Sequence, residues 1–274
     1  MLMTMIQQKN KIFRAANFAA LLLLSFLSSC DFTPRIHRQI LIAQNYITAG
    51  DYEKAVRQYQ EILEEVPPKD IKIKIYYQLG ELYAISLGQY DKGLIYYDQI
   101  RNLTTEPIWL VKTGERIGDI AFTYIRDYEK SEKVYDELSN FRPKLNNYDL
   151  YEYRHAAALV EQNKLDKAVR ALLPIQSNPN HKFNSESFFL QGMLHFNNKD
   201  WQKSINYLRE YIKREKRKDK IVNAKYIMAN AYETMEKLKT AYNIYYSILG
   251  DYPNTKVLKE RLKSVYERRV ARRR

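Results

Sequence analysis

Asp51-Tyr52-Glu53-Lys54-Ala55 decides the reading of this chain, because the same short pattern returns five times. It comes back as Gln89-Tyr90-Asp91-Lys92-Gly93, Asp127-Tyr128-Glu129-Lys130-Ser131 and Lys164-Leu165-Asp166-Lys167-Ala168. The last two copies are Asp200-Trp201-Gln202-Lys203-Ser204 and Lys237-Leu238-Lys239-Thr240-Ala241. The final residues are spaced 38, 38, 37, 36 and 37 apart. Self-similarity at that period marks a stacked repeat rather than a single globular core. Each final residue is small, as a close helix crossing requires. Four residues later stand Tyr59, Tyr97, Tyr135, Leu172, Leu208 and Tyr245, and seven later Ile62, Ile100, Leu138, Ile175, Tyr211 and Ile248. With the large residues three before (Tyr52, Tyr90, Tyr128, Leu165, Trp201, Leu238), these offsets put every copy's apolar groups on one helical face.

Eight Gly and eight Pro in 274 residues, without a Ser/Gly-rich stretch, indicate one continuous array. No Asn-Gly or Asp-Gly turn separates alternating apolar runs, so strands are not expected. The expected fold class is all-α.

A second helix precedes each copy. It carries a small residue followed three later by a larger one: Ala43 with Tyr46, Gly80 with Tyr83, Ala229 with Tyr232, and less regularly Gly118 with Ala121, Ala156 with Leu159 and Gly192 with His195. Prolines follow several copies at Pro67, Pro143, Pro179 and Pro253, with a displaced Pro107. This motif set resembles the tetratricopeptide repeat, a pair of antiparallel helices (A and B) of about 34 residues. The resemblance covers roughly residues 36–253 and implies an α-solenoid of about six helix pairs. Residues 254–274 are then a capping helix and basic tail, with Val257, Leu258, Leu262, Val265 and Tyr266 at helical spacing. The segment Tyr252-Pro253-Asn254-Thr255 before a Lys/Arg-rich helix is similar to repeat ends in the tetratricopeptide lipoprotein of the outer-membrane β-barrel assembly machinery.

Residues 1–29 hold Lys9, Lys11 and Arg14, no acid, and an apolar run from Ala15 to Leu27. That is the layout of a signal peptide; the run is too short to span a bilayer comfortably. Its end, Leu27-Ser28-Ser29-Cys30, resembles a bacterial lipobox, which implies acylation of Cys30 as the mature N-terminus. Cys30 is the only cysteine, so intramolecular disulfides and cysteine metal clusters are excluded. Residues 30–35 would be the lipidated terminus and a short linker, placing the first repeat near a bacterial membrane and facing the periplasm. Asp31 resembles an inner-membrane retention signal, a rule that varies between bacteria, so inner and outer membrane both stay open.

The net charge of +13 is local. Residues 251–274 hold nine Lys/Arg against three acids, and residues 213–220 hold six against two. For an exported chain such clusters suggest anionic lipid, a cell-wall polymer or an acidic protein rather than nucleic acid, although a solvated helix end accounts for the tail equally well and plain solvated surface accounts better for residues 213–220.

No catalytic constellation is present. His37, His155, His181 and His195 form no His-x-x-x-His pair, and no nucleophile elbow, phosphate-binding loop or dinucleotide fingerprint occurs. A non-enzymatic binding protein without cofactor or metal is therefore expected. The concave face of the A helices would carry Tyr77, Tyr153, Phe189, Met193, Phe196 and Tyr226, with Gln44 and Asn230 as polar contacts. Aromatics on rigid helices suit capture of a partner's peptide or helix. The same rings could instead fill gaps between repeats. The expected function is a lipid-anchored scaffold for protein–protein interactions at the cell envelope, with β-barrel assembly or a cell-wall or secretion accessory role as alternatives.

Overall fold

A computed structural model describes residues 35–272, so the leader, Cys30 and the first linker residues lie outside it. Among the described residues the regular structure is helical, in thirteen α-helices. They are α1 (Arg35–Thr48), α2 (Tyr52–Glu64), α3 (Lys69–Glu81), α4 (Tyr90–Leu103), α5 (Pro107–Ile120), α6 (Tyr128–Ser139) and α7 (Tyr148–Glu161). There follow α8 (Leu165–Ser177), α9 (Asn184–Asn197), α10 (Trp201–Arg214), α11 (Lys218–Thr234), α12 (Leu238–Ser247) and α13 (Thr255–Ala271).

Every copy of the five-residue pattern begins a helix. Tyr52, Tyr90, Tyr128, Leu165, Trp201 and Leu238 are the first residues of α2, α4, α6, α8, α10 and α12. The residue just before each copy has a left-handed backbone: Gly50 (φ 78°), Gly88 (65°), Arg126 (60°), Asn163 (55°), Lys199 (61°) and Glu236 (58°). This is the usual way an α-helix stops, with one αL residue turning the chain back. Only two of the six are glycine; the other four bear the Cβ strain of that conformation.

The chain divides into two compact units, with the boundary inside α3 between Ile75 and Tyr76. The first unit contains α1, α2 and the start of α3. The amides of Gly50 and Asp51 bond back to Ile47 and Tyr46 carbonyls at 3.0 and 2.9 Å, and α2 packs against α1 over buried Ala43, Ala55, Tyr59 and Ile62. Glu65 takes hydrogen bonds from Gln39 (2.8 Å) and Arg35 (3.0 Å), tying the ends of the pair.

The second unit stacks α3/α4, α5/α6, α7/α8, α9/α10, α11/α12 and then α13. The small residues Gly93, Ser131, Ala168, Ser204 and Ala241 are all buried, as are Gly80, Gly118, Ala156, Gly192 and Ala229 on the preceding helices. Each glycine on an A helix makes room for a large B-helix side chain. A Cβ on Gly80 would lie 2.5 Å from Tyr97 Cε1, on Gly118 2.8 Å from Tyr135 Cζ, and on Gly192 2.8 Å from Leu208 Cγ.

A π-helical turn extends α3 through Leu82–Ser86 and α5 through Ala121–Ile125. These turns account for the two longest spacings. From the small residue to the αL residue is eight positions in these two pairs (Gly80 to Gly88, Gly118 to Arg126) and seven in the other four. Ala121 is buried where an aromatic was expected, while Phe122 beside it meets Tyr128 edge-on at 5.4 Å.

Ion pairs and hydrogen bonds about one repeat apart link successive pairs: Lys130–Asp98 (2.7 Å), Lys164–Glu132 (2.7 Å), Asn198–Asn163 (2.6 Å) and Arg101–Glu137. At partly exposed sites such pairs add only ~0.2–1 kcal/mol each, so apolar burial between helices holds the stack.

α13 closes the chain. Asn254 caps it by accepting from Val257 N–H at 3.1 Å, and Leu258, Leu262 and Val265 are buried against α11 and α12. Val257 and Tyr266, expected on that buried stripe, are instead 36% and 51% exposed, because the true contact stripe is only Leu258, Leu262 and Val265 wide. The basic 213–220 segment is largely compensated: Glu210 pairs with Lys213 and Arg214, Glu215 with Arg217, and Asp251 with Lys218.

Candidate binding groove

The A helices of the second unit, α3, α5, α7, α9 and α11, share one register. The residue after each small crossing residue is Glu81, Asp119, Ala157, Met193 and Asn230. Four residues before each of these come Tyr77, Glu115, Tyr153, Phe189 and Tyr226. One turn apart on a helix, the two rows form one face.

The first row is coupled to the B helix of its own repeat. Tyr97 Oη donates to Glu81 (2.6 Å), Tyr135 Oη to Asp119 (2.6 Å), and Tyr245 Oη to Asn230 (2.6 Å) and Glu233 (3.0 Å). Where the B-helix tyrosine is replaced by Leu172 or Leu208, the facing residue is apolar, Ala157 or Met193. The chain thus varies the two positions together: a buried hydroxyl needs an acceptor, and a leucine leaves no donor for a carboxylate. Burial, reinforced by the neighbouring carboxylates, holds the Tyr97 and Tyr135 phenols well above their usual range.

A second set of bonds runs from one repeat to the next. Arg116 grips Glu81 with two bonds, Nε–Oε1 at 2.7 Å and Nη2–Oε2 at 2.9 Å. Glu115 accepts from Tyr151 Oη and from Asn147 Nδ2 (3.2 Å). Glu233, buried at 6% exposure, receives Arg268 at 2.9 Å and Arg261 at 3.4 Å. A cavity of about 390 Å³ opens among Tyr77, Glu115, Arg116, Asp119, Leu150 and Tyr151. Another of about 540 Å³ is lined by Phe196, Asn230, Glu233, Thr234, Arg261 and Arg268.

The residues expected from sequence fall as follows. Gln44 is exposed on α1 and belongs to the first unit. Tyr77, Tyr153, Phe189, Met193, Phe196, Tyr226 and Asn230 are half-buried in the second. Each aromatic among them has a ring partner. Tyr77 meets Tyr97 and Trp109 (5.8 Å each), Tyr153 stacks on Phe183 (4.6 Å) and Phe189 tilts against Tyr211 (5.1 Å). Phe196 meets Trp201 edge-on (5.1 Å), and Tyr226 stacks on Tyr252 (4.5 Å). One edge of each ring therefore packs the protein, and burial pushes the Tyr153 phenol up to about 12. Glu81, Glu115, Asp119, Arg116 and Tyr151 were not singled out from sequence. The signal was available: Glu81 and Asp119 stand in the same column as Gln44 and Asn230, which were.

His195 is buried and stacks on Tyr207 at 5.3 Å, with burial holding its pKa below the usual value. A larger cleft of about 930 Å³, lined by Lys130, Glu132, Lys133, Asp136, His155 and Lys167, carries both signs of charge.

Tetratricopeptide repeat profiles match residues 39–68, 73–100 and 186–215. No curated protein shows significant sequence similarity to the chain. Among solved structures, PilW, a widely conserved type IV pilus biogenesis factor, superposes with a TM-score of 0.52 at 14% identity, covering 85% of this chain and 99% of that one. The Naa15/Naa10 complex bound to HypK-THB gives 0.55 at 15% identity, covering 92% of this chain and 39% of the other. At these identities the likeness is one of fold.

Proposed function

The chain carries tetratricopeptide repeats, and we propose that it uses them as a lipid-anchored scaffold at the bacterial cell envelope, holding a segment of a partner protein along its A-helix face. One observation carries the binding reading. In chain order the column Glu81, Asp119, Ala157, Met193, Asn230 runs polar, apolar, polar, and Tyr153 and Phe189 accompany its apolar stretch. An extended segment or helix with apolar residues at its centre and polar or cationic residues at its ends complements that order. Half-buried aromatics already clamped by a neighbouring ring lose little freedom on binding, which favours affinity. The anchor rests on the basic and apolar leader and on Leu27-Ser28-Ser29-Cys30.

Two experiments test this. Cys30→Ala should abolish membrane attachment of the processed protein, because no helix among the described residues is long and apolar enough to cross a bilayer. A processed variant that still partitions wholly into detergent removes the anchor. Capture of partners from solubilised envelopes, compared between the native chain and Met193→Asp, tests the groove. A desolvated interface loses at least about thirtyfold in affinity when a charge enters it unpaired. Equal capture by both excludes this face.

A further inference from the structure

Asp149 and Glu152 lie three residues apart on α7, and His181 lies in the loop between α8 and α9. One oxygen of each carboxylate is held from behind. Lys182 N–H donates to Asp149 Oδ2 (3.0 Å), and Tyr148 Oη donates to Glu152 Oε1 (2.6 Å). Each remaining oxygen turns toward the same imidazole nitrogen. His181 Nε2 is 3.4 Å from Glu152 Oε2 and 3.8 Å from Asp149 Oδ1. The His181 side chain is only 2% exposed, and its Nε2 has no hydrogen-bond partner within the protein. The three groups border a cavity of about 440 Å³ together with Lys144, Asn146, Tyr148 and Asn178.

We propose that Asp149, Glu152 and His181 bind a divalent first-row transition cation, with zinc the best fit to one imidazole and two carboxylates. Ligands about 2.1 Å from a tetrahedral zinc stand about 3.4 Å apart, close to the separations from Nε2 to both oxygens. All three ligand atoms lie within 4.8 Å of one another, so closure needs only small side-chain rotations. The Tyr148 and Lys182 bonds supply what metal sites require behind their first ligands, fixing which oxygen points inward. The two carboxylates neutralise the cation's double charge, while the nearby Lys144 ammonium is held over the Tyr148 ring at 3.7 Å. Water fills the coordination position facing the cavity, as in zinc sites with three protein ligands.

Binding has a defined cost. Phe183 N–H donates to His181 Nδ1 at 3.1 Å, so the neutral ring carries its proton on Nε2. Coordination at Nε2 moves that proton through solvent to Nδ1 and breaks the Phe183 hydrogen bond, lowering affinity by about tenfold. The cation would fasten α7 to the loop leading into α9, joining two successive repeats. It stabilises the folded form by RT ln(1 + c/Kd), where c is the free cation concentration, a gain that keeps growing with c after the site is full. The site is independent of the groove reading and does not fail with it. No paired-histidine spacing marks it in the sequence, where the single His181 follows Glu152 by 29 residues and Asp149 by 32.

The test is calorimetric titration of the full chain, purified without a histidine tag, with Zn²⁺ alone, and visible absorption with Co²⁺. One equivalent should bind, raise the melting temperature and give the intense bands of four-coordinate cobalt. Glu152→Gln, which keeps the side-chain shape, should abolish all three effects, as should His181→Asn. Tyr148→Phe should weaken binding about 10- to 100-fold while leaving the melting temperature in chelator unchanged, which a purely structural tyrosine would not do. Absence of binding at millimolar Zn²⁺ overturns the proposal. So does one-equivalent binding that survives in Glu152→Gln, since the cation would then sit at another histidine.

Discussion

Gly80→Ala tests the helix crossing on which each repeat depends. The added methyl would lie 2.5, 2.7 and 2.9 Å from three ring atoms of Tyr97. That ring cannot retreat: it is fully buried, its hydroxyl is bonded to Glu81, and Glu81 is held by Arg116. On the opposite side, a Cβ on Gly93 would lie 2.7 Å from Ala84 Cβ, so the helices cannot part without disturbing a second close crossing. Overpacking of this kind costs about 1–3 kcal/mol, against which alanine's better helix propensity returns up to ~1 kcal/mol. A net loss of about 1–2 kcal/mol is expected. The chain itself indicates the rescue, because Ala156 shares a core cluster with Leu172 in the fourth repeat. Gly80→Ala combined with Tyr97→Leu should therefore cost less than the sum of the single changes by at least about 1 kcal/mol. Urea denaturation followed by circular dichroism on all four proteins measures the coupling. A neutral Gly80→Ala, or strictly additive costs, would refute the assigned crossing.

Two further outcomes follow from local chemistry. Arg126 adopts φ 60° at an exposed turn, and Arg126→Gly should raise stability by about 0.5–1 kcal/mol in thermal melts; a loss would mean that the arginine side chain supports the turn. Burial raises the Tyr97, Tyr135 and Tyr245 phenols above the unfolded value near 10. Their contribution is complete below that pH and lost above it, so phenolate absorbance of these residues should rise only with alkaline unfolding, and smooth titration of every tyrosine in the folded state would contradict their burial.

Helical class, repeat number and the close crossings were legible because they depend on residue size at fixed offsets. Ala55, Ala168 and Ala241 recur where only a small side chain fits, and all are fully buried. The turns were harder to read: their αL residues include Arg126, Lys199 and Glu236, types that do not advertise a left-handed backbone. The π turns leave only a single inserted residue as their trace. Of the candidate face, the register of Asn230 and the aromatic positions could be read, but bonds elsewhere on it, such as Tyr151 to Glu115 and Arg116 to Glu81, join residues one repeat apart and depend on how repeats stack. The same holds for Val257 and Tyr266, whose place on α13 follows from the width of the contact stripe.

In the proposed function, partners are held on the A-helix face of the second unit. Site-specific photo-crosslinking in the native host measures this directly, with the reactive residue placed at Met193 or Asn230 on that face and at exposed Lys92 or Asn206 on B helices α4 and α10. A discrete crosslinked partner is expected from Met193 and Asn230 and none from Lys92 or Asn206. Crosslinks arising only from Lys92 and Asn206 would contradict it.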